Sequence, residues 1–461
     1  MTTTVPARID DVPRPRAQRR VLIVLTAAQI LSGAGLAAGV TVGALLAQDM
    51  LGSTGLAGLL GALGTAGSAS AAVVVGRISQ ARGRRPGLAT GYLAGALGSA
   101  GVIAAAVARS PVLLFVAMFV YGAGAATNLL ARYAGADLAA PERRARAVST
   151  VLVATTLGGL VGPNLAAPAG DLAHALGVPR LAGLFLVSGA AYGFAALVLA
   201  IWLRPDPLQL ARTLEAEHAT TALAPPGGAG GGSGPGIASL AGSGGGSGAA
   251  ASEGAEGRSR TGGAASGSGE GGPGAGGGRR SGVLAGALIM ALGQLVMVAI
   301  MTMTPVHMQA HGHGAAASGL VIAIHIGAMY LPSPLSGWLV DRYGRLAVAA
   351  ASALVLPAAG IVAAGAPAGS VAGFVVALAL LGVGWSLGLV SGTAIVTDAV
   401  PLAGRARIQG LVDVSIAIAG ALGALVSGLV VAAVGYPFLA VGGGILALAI
   451  VPAVVLAARA R

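Results

Sequence analysis

Apolar residues along this chain are grouped into runs of about 20 residues, the length of helix that crosses about 30 Å of hydrocarbon. Short polar segments separate the runs, and one long polar segment divides them into two sets of six. The first six lie near 21–47, 54–76, 87–108, 111–134, 147–169 and 181–203, and the second six near 283–306, 317–340, 347–366, 371–396, 408–432 and 438–458. The pattern predicts twelve membrane-spanning helices. Since this number is even, both ends of the chain fall on the same side.

The long polar segment between the two sets is rich in Gly, Ser and Ala and cannot bury a core. We interpret it as a flexible linker, with a helix only near 208–218, where charged and helix-forming residues cluster. The predicted organisation is therefore an N-terminal tail (1–20), a six-helix bundle (21–203), the linker (204–281) and a second six-helix bundle (282–461).

Composition places the chain in a bilayer, because 55% of its residues are apolar and only 9% are charged. If the N-terminus is inside, the positive loops all face the cytoplasm, and only Arg109 and Arg180 fall in outer loops. We therefore predict a multi-pass protein of the plasma membrane with both termini in the cytoplasm. The net charge of +12 is spread over separate loops, which favours contact with lipid headgroups and argues against nucleic acid as a partner.

Several kinds of chemistry are excluded or disfavoured by the residues present. The chain has no cysteine, which excludes disulfides, thiolate nucleophiles and cysteine-bound metals. Three histidines, His307, His311 and His313, share one predicted outer loop, but we expect a polar loop and no metal there, since no carboxylate or thiol accompanies them. No phosphate-binding Gly-x-x-x-x-Gly-Lys occurs. We expect no cofactor and no enzyme activity.

One motif is written twice in the chain at a fixed separation. Residues 76–84 (GRISQARGR) and 337–345 (GWLVDRYGR) begin 261 residues apart, from 76 to 337. Asp137, followed seven residues later by Arg144, recurs at the same separation as Asp398, followed by Arg405. The two halves are therefore copies of one unit.

A Gly-x-x-x-Asp-Arg-x-Gly-Arg motif after the second span of each half, in a six-plus-six chain, resembles the major facilitator superfamily over the whole sequence. The resemblance implies an all-α membrane protein whose twelve transmembrane helices form two pseudo-symmetric six-helix bundles around a central cavity that opens alternately to each side. It also implies that charge clusters near the motif hold an inner gate closed. A simpler alternative is that these residues only anchor the inner surface. The predicted gating residues are Gly76, Gly83, Arg84, Asp137, Gly337, Asp341, Arg342, Gly344, Arg345 and Asp398.

The physical role of the motif can be considered separately from the family. Gly83 and Gly344 permit a tight reversal between two helices. Asp137 and Asp398, at the inner ends of the fourth and tenth spans, are expected to pair with the motif arginines Arg84 and Arg345.

One residue departs from the family pattern, since Gln80 stands where the family has an aspartate that meets the N-terminus of the eleventh helix. Asp413 lies near the start of that helix here, where an acid is favourable. We therefore expect Asp413 to face Arg77, Arg82 or Arg84 across the halves.

The fifth span contains a Gly-x-x-x-Gly-Pro segment, Gly158 to Gly162 and Pro163, which is similar to a motif of the family's drug–proton antiporters. Proline kinks a membrane helix, and glycines allow close packing at the bend. The family motif continues into two glycines, whereas this chain has Ala166 and Ala167. The segment favours export.

Polar residues within apolar spans are candidates for solute contact or proton coupling, because burying them in a bilayer is costly. The candidates for the substrate cavity are Gln29, Asn128, Arg132, Asn164 and Gln294. The candidates for proton coupling are Asp413 and His325, the latter because histidine changes charge near neutral pH, and the alternatives are coupling through Asp137 or Asp398 or no coupling. The alternatives are hydrogen bonds between helices and, for Arg132, a side chain that snorkels to the inner surface.

The sequence therefore predicts a monomeric secondary transporter that exports amphipathic drugs or metabolites in exchange for protons, a multidrug efflux antiporter. An uptake carrier for a small metabolite, proton-coupled or passive, is the first alternative. A membrane sensor or scaffold that no longer transports is the second.

Overall fold

Helices form in the apolar runs because a backbone in hydrocarbon must satisfy its N–H and C=O groups internally. The computed structural model describes residues 14–41, 46, 49–50, 54–223 and 273–459. The first half contains α1 (Arg14–Thr41), α2 (Thr54–Arg82), α3 (Arg84–Val107), α4 (Pro111–Ala136), α5 (Arg144–Asn164), α6 (Ala166–Ala175) and α7 (Gly183–Trp202), and α8 (Pro207–Leu223) follows. The second half contains α9 (Pro273–Ala310), α10 (Ala315–Tyr330), α11 (Ser333–Tyr343), α12 (Arg345–Gly365), α13 (Val371–Ala399), α14 (Arg405–Val434), α15 (Tyr436–Ala447) and α16 (Ile450–Arg459).

The predicted all-α fold of two six-helix bundles is confirmed. Within the described residues, 10 helical stretches are long and apolar enough to cross a membrane. Helix α2, with 29 residues, and α5, with 21 residues followed by α6, are consistent with two further spans. The largest difference from the predicted boundaries is at α9, which begins at Pro273, 10 residues before the predicted 283.

Each half has its own hydrophobic core, and the two cores exchange members at one end of the molecule. Leu402 and Ala406 of the second half belong to the core of the first. In return, Ala136, Ala145 and Leu152 of the first half belong to the core of the second. This end carries Asp137, Asp398 and both motif loops, and we call it the motif end. The halves are therefore packed together at the motif end.

Both motif loops turn on a glycine, as predicted. Gly83, between α2 and α3, has a φ of 100°, and Gly344, between α11 and α12, has a φ of 94°. Residues with a Cβ rarely adopt such positive φ values. The glycines therefore let each pair of helices reverse direction within one residue.

Part of the predicted linker is a docked helix. Helix α8 covers the stretch near 208–218 where a helix is predicted, and its Leu208 and Leu210 are buried. The side-chain amide of Gln209 donates to the carbonyl of Arg82 over 2.8 Å. The rest of the linker, 224–272, and the tail residues 1–13 lie outside the described residues.

Helices α1 and α5 approach closely at a pair of glycines, and this crossing yields a first prediction. A Cβ on Gly158 would lie 2.7 Å from the backbone nitrogen of Ala34 and 2.9 Å from the Cα of Gly33, whereas a Cβ on neighbouring Gly159 would meet no atom within 4 Å. We expect Gly158→Leu to lower the free energy of unfolding by about 1–3 kcal/mol through overpacking. The thermal midpoint of the purified protein measures this, with Gly159→Leu as the matched control. Equal midpoints for the two variants would contradict the close approach.

Candidate functional site

Two helix interfaces join the halves at the motif end, and they use equivalent positions of the repeat. In the first, α2 meets α14, where a Cβ on Gly76 would lie 3.2 Å from the Cα of Gly410. In the second, α11 meets α5, where a Cβ on Gly337 would lie 3.0 Å from the carbonyl carbon of Ala145 and would also meet Ser149. Positions 76 and 337, and positions 149 and 410, are each 261 residues apart. The duplication therefore produces a pseudo-two-fold contact.

Equivalent side chains at the two interfaces cap the N-terminus of a helix in the opposite half. Asp341 accepts hydrogen bonds from the backbone nitrogens of Ala145 (3.2 Å) and Arg146 (3.1 Å), which begin α5. Gln80 accepts one from the backbone nitrogen of Ala406 (2.9 Å), which begins α14. Unpaired N–H groups and the helix dipole favour an acceptor at such a position. Gln80 therefore occupies the same place as Asp341, without its charge.

Ion pairs form around the motif end as the sequence predicts. Arg84 and Asp137 are both buried, and Arg84 Nε lies 2.7 Å from Asp137 Oδ2. Asp398 pairs with Arg345 of its own half over 2.5 Å and with Arg144 of the other half. Arg84 also donates across the halves, to the side chain of Gln409.

Not every residue of the predicted gating set belongs to this network. The side chain of Arg342 is exposed, and its guanidinium lies 5.9 Å from the ring centre of Tyr343. Arg342 therefore projects from the motif loop and does not join the ion pairs described above.

Another charge pair joins the halves farther from the motif loops. Arg132 of α4 binds Asp413 of α14 through two nitrogens, with Nη2–Oδ1 at 2.6 Å and Nη1–Oδ2 at 3.2 Å, and both side chains are buried. The hydroxyl of Tyr133 donates to Asp413 Oδ1 over 3.2 Å. Arg132 Nε donates to Thr393 Oγ1 over 3.0 Å. Thr393 is the repeat equivalent of Arg132, so the pair lies where the two halves meet.

This geometry corrects two expectations. Asp413 does not face Arg84 or the other arginines of the first motif, because α14 begins at Arg405, earlier than predicted, and Asp413 therefore lies in its third turn, beside Arg132. Arg84 is instead held by Asp137. Arg132 does not snorkel to the surface, since its side chain is fully buried.

A cavity of about 470 Å³ lies between the halves, with Asp413 in its wall. On α14 its lining runs from Asp413 to Ala424, which at 1.5 Å per residue is about 16 Å along the helix. It therefore extends from the Arg132–Asp413 pair away from the motif end. The packed interfaces close it on the motif side.

The cavity wall combines aromatic, amide and thioether groups. Tyr330 and Trp385 are perpendicular, with ring centres 5.6 Å apart, and Trp385 Nε1 donates to Gln294 Oε1 over 2.7 Å. The methionines Met118, Met297 and Met329 line the same space. Such a wall suits a flat, amphipathic molecule, because aromatic rings stack, the amide fixes orientation and methionines adapt their shape.

The predicted cavity residues divide into two groups. Asn128 and Gln294 line the cavity, whereas Gln29 and Arg132 lie behind its wall. Gln29 is buried and donates to the carbonyl of Asn128 over 3.0 Å, and it accepts from the hydroxyl of Tyr92. Gln29 therefore forms hydrogen bonds between helices, which is the alternative to a role in the cavity.

Four further predicted residues are not placed at the cavity, since His325 lies elsewhere and the surroundings of the other three are outside the described residues. His325 is buried between α10 and α13, and its Nδ1 bonds to the carbonyl of Leu378 over 2.8 Å. It is not among the cavity-lining residues. Helix α5 extends to Asn164, but the side chains of Pro163 and Asn164, and the surroundings of Gly162, lie outside the described residues.

His307, which was predicted in the outer loop, lies instead in the last turn of α9, within an aromatic cluster. His307 stacks on Tyr436 with ring centres 4.5 Å apart, and the ring centre of His311 lies 4.3 Å from that of His307. Across the described stretches of the chain, no group of three or more His, Cys, Asp or Glu residues is arranged to hold a metal ion.

Sequence reasoning missed Tyr330, Trp385, Tyr133 and Thr393 as parts of the site. A signal for the aromatic ones was present, since only 3% of the chain is aromatic and it has just 3 tryptophans. An aromatic ring inside an apolar span is therefore uncommon here. Thr393 could have been found by adding the repeat length to Arg132.

Comparisons with known proteins agree with the architecture. A family model described as the Major Facilitator Superfamily matches residues 25–324 and 283–461. The chain is 49% identical to "Uncharacterized MFS-type transporter YdeG" of Bacillus subtilis (strain 168), over 95% of this chain and 91% of that protein. It is 28% identical to "Riboflavin transporter RfnT" of Brucella anthropi, over 86% of this chain and 85% of that protein.

Among solved structures, the human organic anion transporter MFSD10 superposes with a TM-score of 0.69 at 16% identity, covering 95% of this chain and 99% of that one. The proton:xylose symporter XylE superposes with a TM-score of 0.66 at 15% identity, covering 96% of this chain and 95% of that one. These two likenesses are of fold alone.

Proposed function

This chain is a member of the major facilitator superfamily, and we propose that it is a secondary transporter that exports amphipathic aromatic compounds in exchange for protons. One observation carries the proposal. Asp413 lines the cavity and is bound by Arg132, which belongs to the other half. A titratable group that reaches the solute space and also joins the halves can link protonation to a change of conformation.

The proposed coupling step is a proton transfer to Asp413. A proton entering from the open cavity binds a carboxylate oxygen of Asp413 and removes its negative charge. The ion pair with Arg132 is then lost, although Arg132 keeps its bonds to Thr393 and to the carbonyl of Leu129. Weakening a contact between the halves favours their separation at the motif end. Release of the proton on that side restores the pair.

We propose that the interfaces at the motif end form the gate. They hold the buried Arg84–Asp137 pair and the contacts of Asp398 and Asp341 with the other half. We propose that the motif end faces the cytoplasm, with both termini, because its loops carry most of the arginines. With this orientation the cavity is open to the outside in this conformation. We also propose that the protein is a monomer of the plasma membrane.

A second candidate is proton-driven uptake of a flat aromatic metabolite. The observation that favours it is the relative that is a riboflavin transporter, together with the Tyr330–Trp385 pair and the amide of Gln294 beside the cavity. An isoalloxazine-like ring system would stack on the aromatic pair and bond to the amide. The proposed machinery is the same, but the net direction is opposite.

Transport in membrane vesicles of both orientations distinguishes the two candidates. Everted vesicles that carry the protein are acidified inside by respiration and given ethidium, and right-side-out vesicles are given riboflavin under an imposed inward proton gradient. We expect ethidium to accumulate in the everted vesicles to about tenfold for a gradient of one pH unit, and an uncoupler to abolish this. Vesicles without the protein provide the background.

Each result assigns the function. Uncoupler-sensitive riboflavin uptake without ethidium transport would replace export by the second candidate. Absence of transport for both compounds, with a protein whose unfolding temperature still rises on adding either one, would contradict transport and favour a membrane sensor.

A further inference from the structure

A groove of about 730 Å³, separate from the central cavity, lies between α1, the end of α4 and α5. At the motif end it is lined by Arg19, Arg143 and Arg146. Further along α1 its lining is largely apolar, with Leu22, Ile23 and Ile30. The groove therefore has a positive end and an apolar wall.

The arginines of the groove have N–H groups that form no ion pair with the described residues. Arg19 and Arg143 are exposed, and neither forms an ion pair with any residue of the described stretches. Arg146 uses Nε to bind Asp341 over 3.1 Å, and its side chain remains 52% exposed. No acidic residue is among the described residues that line the groove. Guanidinium groups bind phosphate through paired N–H donors, so this end suits a phosphate group.

The length of the apolar wall matches one leaflet of a bilayer. From Arg19 to Ile30 is 11 residues of α1, or about 16 Å, and half of the hydrocarbon thickness is about 15 Å. The side chains of Ile23 and Ile30 are 59% and 36% exposed on this wall. A molecule with its phosphate at the arginines would therefore lay a hydrocarbon chain along the wall as far as the middle of the bilayer.

We propose that this groove is a binding site for one anionic phospholipid of the leaflet at the motif end. The phosphate is held by Arg19, Arg143 and the free nitrogens of Arg146, and an acyl chain packs against α1. Basic pockets between membrane helices are suited to such headgroups. Because Arg146 also binds Asp341 of the other half, the lipid lies beside a contact that must break when the motif end opens. The site is independent of the transported solute.

Native mass spectrometry of the full-length protein with phosphatidylglycerol or phosphatidylcholine of the same acyl chains tests the site. We expect phosphatidylglycerol to be retained preferentially. Arg19→Gln combined with Arg143→Gln should weaken its binding about 30-fold, which is about 2 kcal/mol, or 1 kcal/mol for each charge. The matched control, Arg20→Gln with Arg407→Gln, removes the same charge from exposed positions outside the groove and should change binding less than threefold.

A further variant separates a seated lipid from general attraction to a positive surface. Ala27→Phe fills the apolar wall and leaves every charge in place, so it should also weaken phosphatidylglycerol binding. Equal retention of the two lipids, or equal loss in the groove and control variants, would overturn the proposal. It would also be wrong if phosphatidylglycerol bound only after removal of residues 1–13, because the tail would then be the occupant.

Discussion

Replacing Asp413 by asparagine is expected to abolish proton-driven accumulation of substrate while binding and passive exchange remain. Asparagine has nearly the same shape, and it can still accept hydrogen bonds from Arg132 and Tyr133, but it cannot take up a proton. With one proton exchanged per solute, a gradient of one pH unit holds a concentration ratio of about ten, and this ratio should fall to about one. Proteoliposomes with an imposed pH gradient measure it directly.

Two further variants guard this experiment against a folding defect. Replacing Asp413 alone leaves the buried charge of Arg132 without a counter-charge, and breaking a fully buried pair in this way costs about 3–5 kcal/mol. The double variant Arg132→Gln with Asp413→Asn removes both charges and should be equally uncoupled but more stable. Asp171→Asn is the matched control, since this aspartate is 68% exposed and pairs with Arg180, and neither residue lines the cavity. Full accumulation by Asp413→Asn would show that protons couple elsewhere, or not at all.

The parts of the site that occur in both halves could be predicted from the sequence. The motif copies and the 261-residue offset are sufficient to predict that Arg84 and Asp137 pair, and that Arg345 and Asp398 do the same, because each pair lies on neighbouring spans of one half. The helix reversals at the motif glycines follow from local chemistry alone. These ion pairs and reversals, each formed within one half, were therefore predictable.

Contacts between the halves were not predictable in the same way. Arg132 and Asp413 are 281 residues apart, and their pairing depends on how α4 and α14 are aligned along their length. The predicted start of α14 was wrong by three residues, and this error was enough to assign Asp413 to the wrong partner. Gln80 illustrates a related limit. Its missing charge suggested a rearranged contact, but a carboxamide oxygen can cap α14 as a carboxylate caps α5, so the geometry is retained. Within the second half, the contact between Tyr330 and Trp385 was not predictable either, since these residues lie on different helices whose relative rotation is not given by the sequence.

Gly410→Leu should trap the protein with its motif end open and eliminate net transport. In the conformation described, a Cβ at this position would already lie 3.3 Å from the Cα of Gly76, so a leucine cannot be accommodated while α2 and α14 are packed. A penalty of about 1–3 kcal/mol shifts a two-state equilibrium about 5- to 150-fold toward separation. The absence of cysteine makes this measurable with a single introduced thiol.

Ala136→Cys reports the opening, because Ala136 is fully buried at the end of α4, in the core of the other half. In the Gly410→Leu background its alkylation by an impermeant maleimide from the motif side should be at least about tenfold faster. A thiol at Ala424, in the cavity wall, should become less reactive from the opposite side. General unfolding would raise both rates, so opposite changes identify a shift between conformations. Gly428→Leu is the control on the same helix, since a Cβ there meets no atom within 4 Å. If both leucine variants behave alike, the α2–α14 contact is not the gate.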